Sequence, residues 1–171
     1  LLTAADQNPQ DAYVKFYLGK TMLQLNKLSE ADVFLKKARA LNPEIPGLSY
    51  EQGILSYKLG NYKDGLGFFE KAVAENPTDA LALYYAGICS FMIEDYPKAI
   101  DYLTRSTDIS PTVKNNAYYY AGISHYKLKA YGPASEKLDY VAAHADTLSL
   151  RQDADMWLQI IRSEKDMAEI C

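Results

Sequence analysis

The chain of 171 residues is 49% apolar and carries a formal net charge of −4 at pH 7, with 18 Lys and Arg against 22 Asp and Glu. This composition excludes a disordered chain, and no apolar run reaches the ~20 residues that a membrane-spanning helix needs. The basic residues are scattered and build no concentrated positive face for a phosphate backbone, so no nucleic-acid partner is expected.

Apolar spacing near 3.6 predicts helices in pairs, each pair joined by a short polar turn. The opening LLTAADQNP repeats the later LKKARALNP: Leu1 matches Leu35, Ala4 matches Ala38 and Pro9 matches Pro43. The chain is therefore expected to open, over 1–11, inside the second helix of a preceding pair. Four pairs follow, with helices expected over 11–24 and 29–41, 45–59 and 62–75, 79–93 and 96–109, and 115–128 and 131–144. Ser29 reads as an N-cap, Pro97 and Pro133 suit a first helical turn, and Asn42-Pro43 and Asn76-Pro77 read as stops. A last helix over 150–170, opened by a capping box of Ser149 and Gln152, carries Ala154, Trp157, Leu158 and Ile161 on one face. It is expected to seal the final pair, with Trp157 as a core anchor.

The pairs are copies of one unit. Gly19, Gly53, Gly87 and Gly122 follow one another at spacings of 34, 34 and 35 residues. Twelve residues after each stands Ala31, Gly65, Ala99 or Ala134, and sixteen after stands Leu35, Phe69, Leu103 or Leu138. Twenty-four after stand Pro43, Pro77 and Pro111, and the pattern lapses at Asp146. These residues resemble the signature of the tetratricopeptide repeat (TPR) family over nearly the whole chain. Departures are Lys15, Ser49, Leu83 and Tyr118 where the family carries Trp, and a Leu before the glycine only at Leu18.

The resemblance implies an all-α fold, a right-handed α-solenoid of helix-turn-helix repeats with a C-terminal capping helix. One domain is expected over 1–171, with repeats over 12–45, 46–79, 80–114 and 115–148 and the cap over 149–171. The small residues are expected to let paired backbones approach, and Gly65 and Gly67 to serve the same packing.

Three positions share one face of each first helix, because their offsets are i, i+4 and i+7. Three residues before the glycine stand Phe16, Tyr50, Tyr84 and Tyr119; one after stand Lys20, Ile54, Ile88 and Ile123; four after stand Leu23, Tyr57, Phe91 and Tyr126. In the resembled family this face lines the concave groove, so these twelve residues are the expected peptide-binding site. An apolar or aromatic-rich segment or helix is the expected ligand. Tyr118 is expected to pack on its partner helix, Tyr120 to lie at the seam between repeats, and Tyr62, Tyr96 and Tyr131 to have packing roles. Family members that hold a chain-terminal carboxylate do so with a Lys, Asn and Arg clamp. The matching positions are Phe16, Lys20, Glu51, Leu81 and Tyr85, so an acidic tail is not the expected ligand. The remaining readings are self-association into a homo-oligomer, or service as a docking domain of a larger or secretion-related protein.

Nothing in the sequence reads as catalytic. There is no glycine-rich phosphate loop, no HExxH and no paired-cysteine motif. His125 and His144 lack a second ligand at helical spacing, Cys89 reads as a small buried hydrophobe, and no disulfide with Cys171 is expected. No enzyme activity, metal or cofactor is expected.

Overall fold

The structure, a computed structural model, describes residues 11–170, with side chains to Asp166. The expected origin of residues 1–11 in a preceding repeat, and the cysteine at 171, fall at or beyond those limits. Among the described residues there are nine α-helices and no strand: α1 (Ala12–Gln24), α2 (Leu28–Leu41), α3 (Leu48–Lys58), α4 (Tyr62–Glu75), α5 (Ala80–Met92), α6 (Tyr96–Ile109), α7 (Lys114–Lys127), α8 (Tyr131–His144) and α9 (Leu148–Ile170). A short 3-10 turn, Pro111–Val113, precedes α7. The sequence reading takes 1–171 as one domain; contacts gather into two compact units that divide between Pro77 and Thr78.

Local chemistry sets most of the helix ends. Asp11 caps α1 by accepting from the Tyr13 and Val14 N–H groups at 2.8 and 3.1 Å, and Asp79 caps α5 from Leu81 and Ala82, both at 3.0 Å. Three expected starts move. Leu28 already begins α2, so Ser29 lies inside the helix and caps nothing. The third helix starts at Leu48 rather than at 45, because Gly47 sits at φ +81° and cannot continue a right-handed turn. For α9 the capping group is the Thr147 hydroxyl, which accepts from Leu150 N–H at 3.4 Å, and Ser149 is within the helix.

The two helices of each hairpin are joined by one recurring turn. Asn26, Gly60, Glu94 and Lys129 have φ of +57°, +77°, +63° and +59°. The next residue then donates its N–H back to the last helical turn: Lys27 to Met22 O, Asn61 to Ser56 O, Asp95 to Ser90 O and Ala130 to His125 O, at 2.8–2.9 Å. This is the Schellman arrangement, which satisfies carbonyls a helix end leaves orphaned.

A second recurrence holds each hairpin shut. Gly19 faces Leu35, Gly53 faces Phe69, Gly87 faces Leu103 and Gly122 faces Leu138, and a β-carbon on any of these glycines would lie within 2.8 Å of that side chain. The partner of the glycine is thus the large residue sixteen positions on, while Ala31, Ala99 and Ala134 are fully buried beside it. Gly67 differs, since a β-carbon there would meet nothing within 4 Å, so packing does not account for it.

In the first unit (α1–α4) Phe16, Leu23, Leu35, Ile45, Leu48 and Leu55 form the core. In the second (α5–α9) the last hairpin and α9 close around Leu138, Val141, Leu158 and Ile161. Burying each such side chain contributes about 1.5–3 kcal/mol. Thus α9 covers an apolar face of α8 that would otherwise be bare.

Candidate functional site

The first helices carry the residues expected to bind, and the structure divides them by depth. In the first unit Phe16 and Leu23 are core residues at 6% and 3% exposure, whereas Tyr50, Ile54 and Tyr57 are half-buried. Tyr50 stands edge-on to Phe69 at 5.8 Å. In the second unit Ile88 and Ile123 are core residues at 3% and 4%, and Tyr84, Phe91, Tyr119 and Tyr126 are half-buried. The sequence expectation that all three positions turn outward therefore fails at Phe16, Leu23, Ile88 and Ile123. Ile88 and Ile123 directly follow repeat glycines, but so do Lys20 and Ile54, which stay partly exposed, so the close approach at the glycine does not by itself set the depth of this position.

The position four after the glycine has a structural use that the spacing did not disclose. Its ring meets the first residue of the following helix: Tyr57 with Tyr62 at 5.9 Å, Phe91 with Tyr96 at 6.0 Å and Tyr126 with Tyr131 at 6.0 Å. These pairs clasp the hairpin turn, as expected of Tyr62, Tyr96 and Tyr131. Phe91 also meets Tyr120 of α7 edge-on at 5.1 Å, which is the expected seam contact. Tyr118 packs on its partner helix through Tyr140 at 5.1 Å, with the Lys137 ammonium 4.4 Å above its ring.

The last repeat meets α9. Tyr126 stacks at a tilt on Trp157, 5.1 Å away, and Tyr119 packs against the same α8–α9 cluster. Glu164 accepts from both tyrosyl hydroxyls, Tyr126 at 2.6 Å and Tyr131 at 2.8 Å. The hydrogen bond to Glu164 pushes the Tyr126 phenol up to about 12, with burial adding to it. The two donated bonds hold the Glu164 carboxyl below its ordinary range.

Charge on the first unit's face is internally matched. Lys20, the one residue of clamp type, pairs with the buried Glu51 at 3.0 Å. Where a large ring is usual, Ser49 instead joins a polar network. It donates to Glu75 at 2.6 Å and accepts from Arg39 at 3.3 Å, and Arg39 also donates to Gln52. That network ties α2, α3 and α4 together. Sequence reasoning also passed over Tyr13 and Tyr17, one turn apart on α1 and 48% and 50% exposed. Their spacing of four was the available signal.

Among the described residues no group of three or more His, Cys, Asp or Glu could hold a metal, and no helix is long and apolar enough to cross a membrane. Burial pushes the Cys89 thiol up to about 12, which suits a packed side chain rather than a nucleophile. Burial, with Lys137 nearby, lowers the His125 pKa.

The family model for the tetratricopeptide repeat matches residues 50–114. Solved structures share the fold. MamA 41-end from Desulfovibrio magneticus RS-1 is 23% identical over 84% of this chain and 82% of that one, with a TM-score of 0.74. A crystal structure of MamA protein is 20% identical over 91% and 92%, at 0.70. The APC/C hetero-tetramer Cut9-Hcn1 is 21% identical over 90% of this chain and 31% of that chain, at 0.74. No curated protein matches the chain by sequence. With the four glycine-centred hairpins, these findings define the class by fold: an all-α array of helical repeats. Residues 50–114 match the tetratricopeptide-repeat family, and the hairpins on either side share the fold of its solved neighbours.

Proposed function

We propose that this chain is a non-catalytic protein-interaction module that takes an apolar or aromatic-rich polypeptide segment on the exposed faces of its first helices. The observation that carries the reading is the set of half-buried rings three residues before the repeat glycines, Tyr50, Tyr84 and Tyr119. Each is packed in part and exposed in part. Tyrosine in that setting offers large contact area at low ordering cost and a polar tip for orientation. Within the first unit Phe16 and Leu23 are buried and Ile54 and Tyr57 half-buried at the related positions; within the second, Ile88 and Ile123 are buried and Phe91 and Tyr126 half-buried. Pairing of Lys20 with Glu51 supports a ligand that is not an acidic tail. Cut9 is a relative in fold whose structure is an assembly with a second protein, Hcn1. Crosslinking of the native chain with its captured partner tests the reading, with contacts expected at Tyr50 and Tyr84.

Tyr13 and Tyr17 on α1 favour a second reading, self-association through α1. Light scattering over a concentration series separates the two, since a strict monomer removes the second. In either case the chain could serve as the docking part of a larger protein.

A further inference from the structure

The first unit holds a cleft of about 520 Å³ between α2 and α4, floored by α3 and away from the aromatic positions described above. We propose that this cleft is a second peptide site, which takes an extended segment carrying a bulky apolar side chain beside a carboxylate.

Four observations carry the proposal. Leu55 and Phe68 make the cleft apolar enough to hold a side chain. Ser56 lines its floor and puts a hydroxyl, able both to donate and to accept, where a peptide group would meet it. Gly67, inside α4 and lining the cleft, has neither a packing nor a backbone reason to be glycine: a β-carbon would meet nothing within 4 Å, and its φ is not left-handed. A glycine inside a helix weakens it, and the matching positions of the other second helices hold Val33, Asp101 and Glu136. What the glycine does at 67 is keep the cleft open.

The fourth observation is charge. Lys36 on one wall is held by Asp32 at 2.7 Å. On the other wall stand Lys63, which has no partner among the described residues, and Lys71, whose ammonium lies 5.7 Å over the Phe68 ring. The lining sets Lys36, Lys63 and Lys71 against Asp32 and Asp64, so the cleft is positive by one charge in a chain of net charge −4. The run from Lys63 to Lys71 is about 12 Å of helix, the length of three or four extended residues. An acidic and apolar short segment fits that wall.

The test uses a fluorescent acetyl hexapeptide alternating glutamate with phenylalanine and leucine, titrated against the full chain by anisotropy. Saturable binding is expected, at least tenfold tighter than for the same peptide with lysine in place of glutamate. Gly67→Leu fills the cleft and is expected to weaken binding at least tenfold while the melting temperature holds or rises. Should that variant fold poorly, the surface variant Lys63→Glu is expected to weaken binding several-fold. Tyr50→Ala and Tyr84→Ala are expected to leave this binding unchanged. Absence of saturable binding overturns the proposal, as does unchanged binding in Gly67→Leu or Lys63→Glu. Loss in the tyrosine variants alone would put the peptide on the first-helix faces and overturn it too, while leaving the function proposed above intact.

Discussion

Gly87 and Leu103 meet where no β-carbon can stand: one built on Gly87 would lie 2.6 Å from Leu103 Cγ and 3.2 Å from the Leu103 backbone nitrogen. Leu103 is fully buried, so it has nowhere to retreat. Gly87→Ala is expected to cost about 1–3 kcal/mol through overpacking. Gly67, inside α4, is the control. A β-carbon there meets nothing within 4 Å, so Gly67→Ala is expected to gain about 0.5–1 kcal/mol. Urea denaturation of the two variants checks both signs.

The hairpin turns place Glu94 at φ +63°, a conformation that an L side chain adopts at a cost of about 1 kcal/mol and glycine without strain. Glu94→Gly is expected to stabilise the chain by up to about 1 kcal/mol, read as a raised melting temperature. The same change at Gln24, inside α1, should destabilise.

The clamp on Glu164 makes stability depend on pH at both ends. Its folded carboxyl is held below its ordinary 4.5, so the contribution is present above that value and lost as pH falls through the folded pKa. The Tyr126 phenol is raised from 10.0 to about 12, so its contribution is present below 10 and lost as pH rises towards 12. Glu164→Gln is expected to flatten the acid limb of a melting-temperature profile. Tyr126→Phe should remove a late-ionising tyrosine from an ultraviolet titration.

For the proposed binding face, Tyr84→Ala with Tyr119→Ala is expected to reduce partner affinity tenfold or more. The circular dichroism spectrum should stay that of the parent. Normal capture of every partner by the double variant would remove the function proposed for that face.

The recurring glycines, and the large residues sixteen positions after them, were legible because both recur within each hairpin at almost constant spacing. The burial of Ile88 and Ile123 was not, since an isoleucine reads the same whether its helix face is open or covered, and Ile54 at the matching position is only half-buried. The left-handed turns at Glu94 and Lys129 escaped for a similar reason, because neither residue type signals that conformation. The polar network at Ser49 and the Glu164 clamp join side chains 26 and 38 residues apart, beyond the reach of any local pattern. Serine and glutamate at those positions look like ordinary helix surface until the fold brings their partners to them.

The lock between each glycine and the residue sixteen places later lies wholly inside one hairpin. Closing it requires only a short loop search, which favours rapid formation of each helix pair before longer-range contacts are made. It also makes the hairpin a portable unit of heredity: a copy inserted or lost in frame brings or removes its own fastening, so arrays of this kind can lengthen or shorten without redesigning what remains.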